Sequence, residues 1–195
     1  MKKLIFVAVL ALVSMTTFSQ AQFGLKAGLN VANLTGDDMD GADPRSGGVF
    51  GVFAKINLTE TIAFQPEALY SMQGATGSET EQGYDIDVTM KLDYINIPLM
   101  MKFYPADGFS INAGPQVGFL ASAKAKAETQ GISAEEDIKE AFKSIDFGLN
   151  VGLGYDLPMG LGLDFRYNIG LSNVLDTDEG EGKNGVLQFT ASYAF

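Results

Sequence analysis

The chain has 195 residues, 46% of them hydrophobic, which fits one folded domain and excludes both a disordered polymer and a bundle of membrane helices. With no Cys, disulfide frameworks, thiolate metal sites, Cys nucleophiles and a lipidated cysteine are excluded; with no His, the commonest general base and metal ligand is missing. The formal net charge of −11 argues against nucleic acid as a partner, because phosphate recognition needs clustered Lys and Arg.

Lys2 and Lys3 precede the apolar run Leu4 to Val13, and small and polar residues follow as far as Ser19-Gln20-Ala21. This is the pattern of a secretory signal peptide over residues 1–21, with cleavage expected after Ala21 and a mature domain over 22–195. The run is well short of the ~20 apolar residues that span a bilayer, and no later segment is a candidate helix. A mature chain that meets a membrane must therefore do so as a closed barrel.

From Phe23 the chain alternates with period two, which means strand. Phe23, Leu25, Ala27, Leu29 and Val31 fall on one face, opposite Gly24, Lys26, Gly28, Asn30 and Ala32. Phe50 to Leu58 and Ile62 to Gln73 repeat the pattern, joined by Thr59-Glu60-Thr61. Ile95 to Phe103 and Ile111 to Phe119 form the next pair, around the turn Pro105-Ala106-Asp107-Gly108. Phe147 to Tyr155 and Leu161 to Leu171 form another, around Pro158-Met159-Gly160, and Leu187 to Phe195 is the last strand.

These strands run to ten residues or so, longer than the ~5–6 of soluble domains and suited to a tilted transmembrane strand. Tight links alternate with long polar stretches at 35–46, 74–87, 125–143 and 174–184. In such barrels the short turns face the periplasm and the long loops face outward. The four long stretches together carry a net charge of −12, nearly all of the mature −13.

Alternation by itself does not say which face is inside, and a soluble lipocalin-like barrel with an apolar cavity is the alternative. The polar face carries repeated Gly, which weakens a strand exposed to water and suits a narrow lumen whose opposing walls crowd together. The reading is an all-β, closed up-and-down antiparallel transmembrane β-barrel of about eight strands. Pro66, Pro98 and Pro115 fall inside predicted strands, where a closed barrel has no free edge, so β-bulges are expected beside them.

Several stretches in order, Phe23–Leu34, Gln65–Gly74, Asp93–Tyr104, Gly114–Leu120, Phe147–Tyr155 and the terminal Phe195, resemble the PorT-like or porin-family outer-membrane β-barrel domain. The resemblance covers essentially the whole mature chain and includes the three prolines. It implies a barrel in the bacterial outer membrane, surrounded by lipid, with Phe195 resembling the signal read by barrel-insertion machinery. It implies no chemistry.

Thr35-Gly36-Asp37-Asp38-Met39-Asp40-Gly41 and Asp176 to Glu181 are oxygen-rich clusters able to attract divalent cations, although neither supplies the twelfth-position Glu of an EF-hand loop, and a solvated acidic loop is the simpler reading. Ser133 and Glu136 form a capping box, followed by Ile138, Ala141, Phe142 and Ile145 at helical spacing. The spacing predicts a short helix folding its apolar side onto the barrel rim.

Glu67, Lys102, Asp164 and Arg166 fall on the predicted lumen face, with Glu67 and Arg166 at matching depth on opposite walls. No nucleophile or His accompanies them, so they read as a plug of ion pairs without catalytic role, cofactor or metal. The functional expectation is a non-enzymatic barrel displaying acidic extracellular loops, in a structural role or with a protein partner at those loops. A small diffusion pore or transport-related barrel is the runner-up.

Overall fold

A computed structural model describes residues 21–36, 42–81, 84–129, 132–176 and 180–195. The predicted leader through residue 20 lies outside the described residues, as do residues 37–41 and 177–179 of the two acidic clusters. The strands are β1 (Ala21–Thr35), β2 (Asp43–Asn57), β3 (Ile62–Glu81), β4 (Tyr84–Phe103), β5 (Phe109–Thr129), β6 (Ile132–Asp137), β7 (Ile145–Asp156), β8 (Leu161–Gly170) and β9 (Lys183–Ala194).

All except β6 close into one antiparallel ring. Each pairs with its chain neighbour, β5 pairs with β7, and β9 returns to β1 from Gly24↔Ala194 to Thr35↔Lys183. The Phe195 N–H donates to the Phe23 carbonyl at 2.8 Å, which ties the end of β9 to the start of β1 at one rim. Closure leaves the wall without a free edge, the condition for a sheet to cross hydrocarbon.

Period two then sorts the side chains. Leu29 is 67% exposed and Leu163 54% exposed, while Lys26, Asn30, Glu67 and Arg166 are buried. Apolar residues on the outside and polar ones within reverse the arrangement of a soluble barrel, and the medium outside must be lipid. Phe23, Phe103, Tyr155 and Tyr193 form an exposed aromatic belt near the short turns.

Four expectations need correction. The stretch 74–87 is not a loop: β3 and β4 remain paired from Gly74↔Lys91 to Glu81↔Tyr84, forming a hairpin that rises beyond the membrane. Its polar composition reports water on its surface and not the absence of a ladder. The predicted helix after Ser133 is also absent. That segment forms β6, which gains a run of partners on the outer end of β5 from Lys124↔Asp137 to Thr129↔Ile132. An isolated helix of this length is marginal, and tertiary pairing overrides it. Only a single 3-10 turn, Lys139–Ala141, remains, after which Phe142 is buried under the rim and Ile145 faces lipid.

Pro66, Pro98 and Pro115 sit beside no bulge. Registers run unbroken past Pro66, from Phe53↔Glu67 to Ile56↔Phe64, and past Pro98, from Pro98↔Gln116 to Met101↔Ala113. Pro115 pairs in register with Leu149. The wall drops a few ladder partners in place without inserting a residue. Register shifts occur instead between Pro44 and Val49 and between Asp93 and Tyr94, where the strands leave the membrane and an extra residue re-aims the sheet. Finally, the lumen glycines answer to adjacent strands and not to opposing walls. A Cβ at Gly154 would lie 2.7 Å from Ser110 Oγ and 2.8 Å from Asp164 Oδ1, groups on the two neighbouring strands that lean across the vacant position.

Candidate functional site

The lumen is filled in three layers. Nearest the periplasm is a chain of alternating charges. Lys55 Nζ lies 2.6 Å from Asp156 Oδ2, and Lys102 Nζ lies 3.0 Å from Asp156 Oδ1. The Tyr104 hydroxyl donates to the same carboxylate at 2.7 Å. Lys102 is also 3.8 Å from Asp164, whose other oxygen is 3.0 Å from Lys26. Lys26 in turn donates to Glu67 Oε1 at 2.7 Å. Arg166 completes the set as a fork on Glu67, with Nη1 to Oε2 at 2.9 Å and Nη2 to Oε1 at 3.0 Å.

Side-chain exposure falls from 25% at Asp156 to zero at Lys26 and Glu67, so the innermost charges are out of water. Such charges are tolerable only when each has opposite partners and hydrogen bonds for its remaining atoms. Gln65 Nε2 supplies one to Glu67 at 2.7 Å, and Asn112 Nδ2 one to Asp164 at 2.9 Å.

The structure thus brings Glu67, Asp164 and Arg166 together and sets Lys102 at their periplasmic edge, closer to Asp156 than to Asp164. Sequence reasoning missed Lys26, Asp156 and Lys55. Lys26 lies on the polar face of the first strand, the one signal in the sequence that places it in the lumen.

A neutral layer follows. Asn30 Nδ2 donates to Ser71 Oγ at 2.9 Å, Gln188 Nε2 to Asn30 Oδ1 at 3.0 Å, and Asn150 Nδ2 to Gln116 Oε1 at 3.2 Å. Above it the lumen turns apolar. Leu34, Leu92, Tyr94, Leu120, Phe142 and Val174 pack into a buried cluster, with Phe142 and Val174 arriving from outside the strands. Backbone bonds hold that lid: Lys143 N–H donates to the Val174 carbonyl at 2.8 Å and Asp176 N–H to the Ala141 carbonyl at 2.9 Å.

Beyond the rim, β3 to β6 form a solvated sheet. Glu135 on β6 accepts hydrogen bonds from Lys124 at 2.7 Å and Lys91 at 2.8 Å, which pull its carboxyl down to about 2. Among the described residues no group of three or more acidic, His or Cys side chains gathers as a metal site.

A closed ring of eight long antiparallel strands, apolar outside and polar within, defines an integral β-barrel of the bacterial outer membrane. The family described as outer membrane protein beta-barrel domain matches residues 16–176, and the chain belongs to it. No curated protein matches the chain in sequence. Among solved structures, it is similar to Ail, the attachment invasion locus protein of Yersinia pestis, at 15% identity and TM-score 0.54, covering 90% of this chain and 99% of that one. It is also similar to Neisserial surface protein A, at 13% identity and TM-score 0.53, covering 91% of this chain and all of the other. These likenesses concern the fold. Ail has also been solved in complex with the heparin analogue sucrose octasulfate.

Proposed function

We propose that this barrel is a non-conducting, non-enzymatic scaffold that presents acidic outer segments to cationic partners, within a PorT-like branch of its family. The observation that carries the reading is the doubly sealed lumen, ionic toward the periplasm and apolar at the rim. The buried carboxylates are engaged by cations and have no nucleophile or His beside them, which supports a structural role for Glu67, Lys102, Asp164 and Arg166.

Charge supports the choice of partner. The four polar stretches carry a net −12, so a sulfated polyanion such as the one Ail takes is disfavoured here, and basic proteins or divalent cations are favoured. The leader over residues 1–21 is proposed to be removed, and N-terminal sequencing of the mature protein should then begin at Gln22.

Two measurements test the scaffold. Planar bilayers containing the protein should show no sustained open-channel current; steady conductance would establish the pore instead. Protein in lipid nanodiscs should bind polylysine at low salt, lose it as salt screens the charges, and ignore heparin. Binding of heparin in preference to polylysine would overturn the acidic-display reading.

A further inference from the structure

One buried acid stands apart from the ionic layer. Asp146, at the start of β7, is 5% exposed and lies in the outer third of the lumen. Glu67, Asp156 and Asp164 each have at least two basic groups within 4.0 Å, whereas Asp146 has none among the described residues. It accepts hydrogen bonds from Ser172 Oγ at 2.6 Å and Asn184 Nδ2 at 2.8 Å, one to each carboxylate oxygen. The Ser172 hydroxyl accepts from Phe147 N–H at 2.8 Å, and of its two possible acceptors Asp146 at 2.6 Å is far closer than the Phe147 carbonyl at 3.5 Å. With a donor available to each oxygen the site suits the ionised carboxylate, which out of water is stable only with a counter-charge.

The surroundings supply further oxygen. Tyr94 is fully buried and its hydroxyl has no hydrogen-bond partner, and its ring lies beside Gly118, where an added Cβ would meet Tyr94 Cδ1 at 3.4 Å. Gly118 pairs with both Asn96 and Asp146. A Cβ at Gly118 would lie 2.7 Å from Asn96 Oδ1 and 3.7 Å from Asp146 Cβ, so the missing side chain is what lets these residues converge.

We propose that this cluster binds a monovalent metal cation of sodium size, held by Asp146 with the neutral oxygens of Tyr94, Asn96 and Ser172. Carboxylate, amide, hydroxyl and phenol oxygens are ligands for a hard cation. One carboxylate cancels one positive charge, whereas a divalent ion would leave a net charge buried. Ser172 and Asn184 flank the β8–β9 connection that brings Val174 into the apolar lid, so the bound cation secures the lid against the barrel.

The test compares thermal unfolding of the full-length mature protein in sodium chloride and in choline chloride at matched ionic strength and pH, followed by heat-modifiable gel mobility. Sodium should raise the unfolding temperature by a few degrees over choline. Asp146→Asn should abolish that difference while keeping the folded mobility, and Tyr94→Phe should reduce it. Equal unfolding temperatures in the two salts would overturn the proposal, as would a sodium gain that survives in Asp146→Asn. Should Asp146→Asn fail to fold, the two-salt comparison on the unmodified protein and Tyr94→Phe decides. Stabilisation by acid without any sodium effect would mean that a proton occupies the site, and the inference fails.

Discussion

The periplasmic half and the outer end of the lumen close the same tube by opposite chemistry. Toward the periplasm, Lys26, Glu67, Asp164 and Arg166 fill the space with charge, each group held by opposite partners projecting from non-adjacent strands. At the rim, Leu92, Leu120, Phe142 and Val174 fill it with apolar side chains, as in a soluble core. The difference follows from what each end can recruit. The membrane-level lumen is lined by strands alone, and the outer end receives chain from the β6–β7 and β8–β9 connections, which brings residues the wall could not supply. The ionic layer is directional and fails when one partner is lost. The lid is additive and fails by degrees.

The sharpest break of this contrast is Glu67→Gln. It leaves Arg166 and Lys26 without their shared carboxylate and should cost about 4 kcal/mol of stability, measured by urea unfolding in detergent. The double variant Glu67→Gln with Arg166→Gln should lose less than the sum of the single losses. Full additivity would show that the forked pair is not energetically coupled.

Phe142→Ala in the lid should cost about 3 kcal/mol through lost burial and the cavity left behind. Its effect should add to that of Glu67→Gln, because the neutral amide layer separates the two. A strong coupling between them would mean that the lumen is one cooperative unit and not two seals.

Arg at Leu99, on the lipid face and four residues above the aromatic belt, should cost about 2 to 3 kcal/mol by placing charge in hydrocarbon, and Arg at Leu163, which pairs with Tyr155 of that belt, should cost about 1 kcal/mol. A polar change at Gln116 or Asn150 should cost about 1 kcal/mol, the worth of one hydrogen bond. The reverse order would invert the assignment of inside and outside.

The smallest effect concerns the solvated outer sheet. Hydrogen bonds from Lys124 and Lys91 lower the Glu135 carboxyl to about 2 from its ordinary 4.5. A lowered value adds stability above the unfolded value, and that stability is lost as pH falls through the folded one. The protection of β6 amides against hydrogen exchange, taken relative to the intrinsic exchange rate at each pH, should therefore fall between pH 4.5 and about 2, and Glu135→Gln should remove that dependence. High salt should weaken it, since the group is exposed.

Much of the wall was legible from residue order. Leu25, Leu29 and Leu163 fall on one parity and Lys26, Asn30 and Arg166 on the other, and parity survives folding because a strand has no other way to orient side chains. Glu67 and Arg166 could be placed at one depth by counting from turns. Their neighbours could not: Lys26 on β1 reaches past β2 to Glu67 on β3 across a separation of 41 residues, and nothing local in the sequence fixes the registers that bring them to one depth. The capping box at Ser133 misled because it is a local signal, and the partner that overrode it, the outer end of β5, is not.

Alternation, strand length and the absence of any long apolar helical segment beyond the leader were therefore enough to establish a membrane barrel with polar contents. Those properties depend on each residue's own chemistry and its immediate neighbours. Tertiary structure decided which charges meet, that Asp146 meets none among the described residues, that prolines interrupt pairing without shifting register, and that the second outer stretch continues as strand. Each of these depends on ring closure, which brings distant strands to fixed depths, and closure is a property of all the strands together.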